Sequence, residues 1–317
     1  MMIDVIFTDT HFGWKNNSMT WLNSQLDFIY KQFIPKIKEL SKINDVRVIH
    51  CGDVFDSRST ISTYVATKIV KAFADIRANC KEFIILCGNH DFYSPNDDTI
   101  NTVSLFMKNM NIDIVSQEVL ERDGHAYIPW YKWIDRDNID ITEGFVFCHG
   151  DILNETLPEW ARGRTIFSGH IHTPGEKPGL FNLGSCYSLN FADSNSDRGF
   201  YIIKDGKISF IKNEVSIKFY RLYNDEILNK NIKDMNADDY IELYVTETNM
   251  SKESYVNAIK KYTERFSHLW IIPQVTEHTG TIDENFKGYD IEAIMEGMIP
   301  DDLTVFYSKV KNHLKMT

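Results

Sequence analysis

The chain has 317 residues, enough for one large domain and a smaller one. Its 43 % hydrophobic and 25 % charged residues lie near globular averages, which excludes wholesale disorder, and no apolar run approaches the roughly 20 residues that span a bilayer. A net charge of −11, with acids outnumbering bases both before and after residue 213, excludes a domain that grips nucleic acid through a basic footprint alone.

The opening MMIDVIFTD has no basic segment and meets an acid at Asp4, so no secretory signal is expected and a cytoplasmic location is. Residues 3–7 form a short apolar run rich in β-branched residues, read as a strand that ends in Asp9-Thr10-His11. Ser18 can cap a helix with Leu22, Leu26, Ile29 and Phe33 on one face, kinked or restarted by Pro35. A second strand over 46–49 runs into Gly52-Asp53-Val54-Phe55-Asp56. Val65, Ile69, Phe73 and Ile76 recur at helical spacing within 60–78. A third strand over 83–86 leads to Gly88-Asn89-His90-Asp91, and a further helix is expected over 99–110. Strands over 145–147 and 165–167 end in Cys148-His149-Gly150 and Gly169-His170-Ile171-His172. Such alternation predicts an α/β layered domain.

From residue 199 the pattern changes. Residues 199–211 read as a hairpin turning at Asp205-Gly206. A strand over 240–245, a helix from near Ser251 to Phe266 and a strand over 270–275 form one βαβ element. Residues 283–302 hold seven acids and one lysine, and a closing amphipathic helix is expected over 303–314. The five cysteines form no CxxC pair, which argues against a zinc ribbon or disulfide framework and suits a reducing compartment.

Five strands thus end in loops bearing carboxylates, an amide and imidazoles. Sites of layered α/β domains form at the carboxyl ends of strands. The mixed oxygen and nitrogen donors suit manganese, iron or zinc better than calcium. Taken singly, each motif is an ordinary polar turn; the ordered set, each member after an apolar strand, points to metal. Seven donors exceed what one ion needs, and a bridging carboxylate would let two ions sit roughly 3.5–4 Å apart.

Together DTH, GDVFD, GNHD, His149 and GHIH resemble the calcineurin-like metallophosphoesterase superfamily. Within it the chain is similar to the SbcD (Mre-type) double-strand-break nucleases, including the recombination nuclease subunits of T-even-like bacteriophages. The motifs cover residues 9–172, with weaker likeness at Ile128-Pro129-Trp130, 182–185 and 197–200. The resemblance implies a four-layer αββα metallophosphoesterase sandwich with a small α+β C-terminal capping domain. It divides the chain into a nuclease domain over 1–213, a DNA-capping domain over 214–280 and partner-binding helices over 281–317. Asp9, His11 and His172 would hold one metal, Asn89, His149 and His170 the other, and Asp53 would bridge them. His90 would be the general acid, with Asp91 to orient it. The implied cofactors are two divalent ions of manganese type, magnesium being the other choice. The implied partners are DNA, an SbcC-like (Rad-type) ABC/SMC ATPase and a second copy through helices in 60–110. A phage-encoded member would work in the host cytoplasm.

Two departures stand out. Gly150 follows His149 where the nuclease motif has glycine before the histidine, and Asp56 stands where some relatives carry histidine. Protein phosphatases of the superfamily place Arg-Gly after the second aspartate and read GNHE, whereas Ser57-Arg58-Ser59 and GNHD stand here, which favours the nucleases. A small-molecule phosphodiesterase is the rival enzyme, with less use for about a hundred C-terminal residues. A non-catalytic scaffold would have lost donors, and every position is filled. Arg58, Trp14 and Tyr93 are candidate DNA contacts on the neighbouring loops.

Overall fold

The computed structural model describes residues 2–142 and 144–274. The expected partner-binding helices over 281–317, with residues 275–280 of the expected capping domain, lie outside the described residues.

All five apolar runs form strands, and their interiors are buried on both faces, as parallel central strands require. One sheet runs, edge to edge, Lys207–Lys212, Gly199–Lys204, Met2–Phe7, Asp45–His50, Glu82–Leu86 and Asp113–Val115. Its last four strands are parallel; the hairpin joins antiparallel. Both turn residues, Asp205 and Gly206, have positive φ, the two-residue geometry that matches strand twist. The second sheet runs Gly175–Lys177, Leu180–Asn182, Thr165–Gly169, Phe145–His149, His125–Ile128 and Leu120–Arg122, with four parallel strands at its centre.

Ile6, Ile49 and Ile84 of the first sheet meet Tyr127, Phe147 and Phe167 of the second in a shared core. The outer face of the first sheet packs on helices through Phe28, Ile37, Ile69 and Phe73. The outer face of the second is covered by Trp133, Ile141 and Ile152. These four layers are the expected sandwich. Parallel pairing aims the carboxyl ends of the site strands at one edge.

Two helices differ from expectation. The first, Met19–Asp27, widens into a π-helical turn over Phe28–Phe33 before Ile34–Ser41, where Pro35 sits in the first turn and needs no N–H partner. The helix expected over 99–110 spans only Thr102–Met107. Asn101 caps it by accepting from the Ser104 N–H, and Asp97–Asn101 pairs as a strand with Phe92–Ser94. Beyond the hairpin, Phe219–Tyr223, Tyr240–Thr246 and His268–Gln274 form a parallel sheet, with Glu253–Arg265 crossing between the last two. Leu222, Ile241, Leu243, Tyr255 and Tyr262 fill its core.

A polar trio pins the two large sheets together. Arg47 Nε donates to Asp4 Oδ1 at 2.7 Å, and His125 Nε2 of the second sheet lies 2.9 Å from both Asp4 Oδ2 and Arg47 Nη2. Burial works against the Asp4 charge, but hydrogen bonds from His125 and Arg47 outweigh it and hold the carboxyl below its ordinary value of 3.8. Its stabilising contribution is therefore present above that value and is lost as pH falls through the lower folded value. Asp4→Ala removes the carboxylate hydrogen-bonded to the buried Arg47, leaving it only the Glu82 and Asp123 carboxylates at 3.8 Å, and is expected to cost about 3 kcal/mol in urea unfolding at pH 7. A loss below about 1 kcal/mol would show that the trio is not the pin described.

Candidate metal centre

The site is built where the two sheets' strand tips meet. The N–H groups of Asp9, His11 and Phe12 donate to the carbonyls of Gly52, Asp53 and Val54, lacing the first loop to the second. Asp9, His11, Asp53 and His170 all take positive φ, between 40° and 85°. Four strained non-glycine residues within one site are a functional signature, since each costs of order 1–3 kcal/mol. Glycines give the loops room: a Cβ on Gly52 would stand 2.4 Å from His149 Nδ1, and one on Gly88 would stand 2.2 Å from Asp53 Oδ1.

All seven expected donors converge. Asp9, His11, Asp53 and His149 are buried; Asn89, His170 and His172 are half-buried. His11 Nε2 lies 2.9 Å from His172 Nε2, 3.8 Å from Asp9 Oδ1 and 3.6 Å from Asp53 Oδ2. On the other side, Asn89 Oδ1 is 3.0 Å from His149 Nε2 and 2.9 Å from His170 Nδ1, and Asp53 Oδ1 is 3.4 Å from His149 Nε2. Three groups, Asp9-His11-His172, His11-Asp53-His90 and Asp53-His149-His170, each bring their donor atoms within 4.8 Å of one another.

The tautomers test whether a cation fits. His149 Nδ1 sits 2.7 Å from the Cys51 carbonyl and must carry a proton there. In the neutral ring Nε2 is then a lone pair facing two oxygen acceptors, Asn89 Oδ1 and Asp53 Oδ1. Acceptors that face acceptors in a buried site need a positive charge between them. The donor set fits divalent metal, and no thiol is among it; Cys51, Cys87, Cys148 and Cys186 are buried and free.

Electrostatics gives the same answer. Burial opposes ionisation of Asp9 and Asp53, yet neighbouring His11 and His149 keep both carboxyls below the ordinary range. Burial alone would lower the two histidines, but the carboxylates push His11 up to about 10 and His149 up to about 9. Burial holds His170 and His172 below 6.5, neutral and ready to coordinate. Without metal, protons fill the role of the cation.

His90 lies beside His11 and Asp53, in the group that joins the other two. Its N–H donates to Asp53 Oδ1 at 2.8 Å and its Nδ1 donates to the Asp56 carbonyl at 2.6 Å, so Nε2 is the free ring nitrogen. Asp91 does not orient it, contrary to the sequence reading. The Asp91 carboxylate turns inward and accepts from the N–H groups of Val54, Phe55 and Gly88, tying the GNHD loop to the GDVFD loop. Burial and the nearby Asp53 raise it to about 7. Within GNHD the two residues are adjacent along the chain, but their side chains take different partners, His90 the Asp56 carbonyl and Asp91 the backbone of the neighbouring loop.

Several supporting residues were not legible. His50 Nδ1 accepts from the Gly52 N–H while its Nε2 donates to Thr10 Oγ1, which donates to the Val54 carbonyl. Gln25 donates to the carbonyls of Thr10 and His11, and the Tyr187 hydroxyl donates to Thr10 O. Trp130 lays its ring 4.8 Å from that of His170. Of the expected DNA contacts, Trp14 is half-buried with its ring 6.3 Å from His11, Tyr93 is 59 % exposed, and Arg58 is half-buried beside Asp56.

The family model described as calcineurin-like phosphoesterase matches residues 5–174. "Exonuclease subunit 1" of Enterobacteria phage T4 is 26 % identical over 234 residues, 66 % of this chain and 67 % of its own length. Among solved structures, a novel archaeal phosphodiesterase is similar at 16 % identity and a TM-score of 0.33, over 67 % of this chain and 100 % of its own. Pseudomonas putida nuclease MPE is similar at 15 % identity and a TM-score of 0.31, over 66 % and 87 %.

Two outcomes are expected. Metal uptake at pH 7 displaces the His11 and His149 protons, so titration calorimetry in buffers of differing ionisation heat should show about two protons released, with affinity rising toward pH 9. Heats independent of the buffer would contradict the assigned charges. Gly88→Ala forces a methyl group against Asp53 and should weaken binding of metal by about 10–100-fold, measured by the same titration.

Proposed function

We propose that this chain, which belongs to the calcineurin-like phosphoesterase family, is a two-metal nuclease acting on the phosphodiester backbone of DNA. The observation that carries the choice of substrate is the alignment with a phage exonuclease subunit across two thirds of both chains. The donor geometry supports the division of labour already described: Asp9, His11 and His172 around one ion, Asn89, His149 and His170 around the other, and Asp53 between them. Two divalent cations there, manganese before magnesium, supply charge neutralisation at phosphorus and an acidified water.

The chain's own residues do the rest. His90 is oriented by the Asp56 carbonyl and the Asp53 carboxylate, with its ring edge-on to His11 at 4.9 Å. Its Nε2, at the mouth of the site, is the group to protonate the departing sugar oxygen as the P–O bond breaks. Trp130 and Trp14 flank the two sides of the metal site as apolar walls.

The same reading assigns the region after 214 to capping the DNA and residues 281–317 to an SbcC-like ABC/SMC ATPase. A second copy would pair through the exposed Tyr64, Ile100 and Leu105 of the 60–110 segment. No helix among the described residues is long and apolar enough to cross a membrane. A phage-encoded nuclease of this kind would act in host cytoplasm.

The test is degradation of an end-labelled duplex with manganese, magnesium or chelator. Manganese-dependent cleavage is expected, with His90→Ala slowed about a hundredfold or more while it still binds metal. If the variant keeps more than about a tenth of the wild-type rate, the general-acid role fails. Inert DNA beside rapid hydrolysis of a small phosphodiester would move the chain to the rival enzyme class.

A further inference from the structure

The three-stranded sheet over 219–274 has two unlike faces. Ile241, Leu243 and Val245 point into the core under the crossing helix, and the alternate residues point the other way. Parallel register sets these alternate residues in rows. The first row is Phe219–Tyr240–His268, with the Tyr240 and His268 rings stacked at 4.2 Å and 10°. The second is Arg221–Glu242–Trp270, and Trp270 is 45 % exposed. Tyr223 and Tyr244 follow, stacked at 4.6 Å, with Tyr223 39 % exposed.

The chain itself ties this face to the metal centre. The DTH loop runs straight on through Gly13 and Trp14 to Lys15, which takes φ 50°, and Asn16 and Asn17 are left-handed as well. That backbone holds Lys15 Nζ 4.7 Å from the Tyr240 ring and 5.0 Å from that of Trp21, which itself stacks on Phe219. Among the described residues Lys15 forms no ion pair, although the chain carries an excess of acids. The strained turn thus seats an exposed ammonium, held by cation–π contact and paired with no carboxylate among the described residues, on an aromatic row at the end of the DTH loop.

Phe219 is buried under Trp21, so the open part of this face is its second and third rows. We propose that this open part is a stacking platform for unpaired bases of a DNA strand whose backbone reaches the metal site. Aromatic side chains accept any base by its π-face, and a cation among them meets the phosphates, which is how single strands are held without sequence readout. Trp270 and Tyr223 are the open stacking surfaces, and Lys15 supplies charge; Arg221 donates from Nε to Glu242 at 2.8 Å, and this ion pair holds the middle of the second row beside Trp270. The inference rests on the nuclease reading for its substrate class, and the test separates the two.

The full chain is titrated with a fluorescein-labelled oligothymidylate in chelator, where nothing is cut, and anisotropy is read. Wild type is expected to bind, Trp270→Ala to bind about tenfold or more weakly, and Trp270→Phe to recover most of the loss. Unchanged thermal melting of Trp270→Ala controls for folding. Equal affinity of Trp270→Ala and wild type overturns the platform and leaves the nuclease reading standing. No binding by wild type, together with inert duplex DNA in manganese, overturns both.

Discussion

Everything in this structure answers to two buried carboxylates, Asp9 and Asp53, held close to one another at the tips of adjacent parallel strands. Like charges in a dry site repel, and neither can be left uncompensated. Positive charge must therefore come to them, as protons on His11 and His149 or as divalent ions. The imidazoles and the Asn89 amide are placed so that either can be accommodated, but the fixed proton on His149 Nδ1 makes the metal-bound arrangement the one the ring orientation serves.

That constraint explains the cost accepted by the backbone around it. Left-handed geometry at Asp9, His11, Asp53 and His170 brings side chains from two sheets to one point, which regular strands cannot do. The strain is held by a second layer of hydrogen bonds: His50 and Thr10 between the first two loops, Asp91 between the second and third, Gln25 and Tyr187 behind the first. Gly52 and Gly88 are there because no side chain fits between the loops at those approaches. Further out, Asp4, Arg47 and His125 fix one sheet against the other, so that tips from both keep their register.

The donors were legible because their chemistry is local. An apolar run followed by Asp-x-His or Gly-Asn-His announces a strand tip with ligands, and the five runs were all strands. The support was illegible because it is made of long-range contacts between ordinary residues. Nothing in the neighbourhood of His50 in the sequence says that its two nitrogens join residues 10 and 52, and Asp91 looked like a partner of His90 only because it is next to it. The helix expected over 99–110 failed for a related reason: Asn101, read as a helix interior, is the cap, and the preceding residues are held as a strand by Phe92–Ser94. The edge strands Leu120–Arg122 and Gly175–Lys177 are too short and polar to carry a periodic signal.

The acidity of the chain becomes intelligible in the same terms. A protein that bound a polyanion by neutralising phosphates with lysine and arginine would need a basic surface, and the net charge of −11 denies it one. A site that concentrates its positive charge in metal ions needs none of that at the scissile bond, because the cations sit where the phosphate must go. Bases gripped by ring faces add affinity that does not depend on net charge. In the proposed arrangement the fold uses acids to collect cations, cations to receive phosphate, and aromatic rows to hold what lies beside it. Excess carboxylate elsewhere on the surface then works against adventitious binding away from that track.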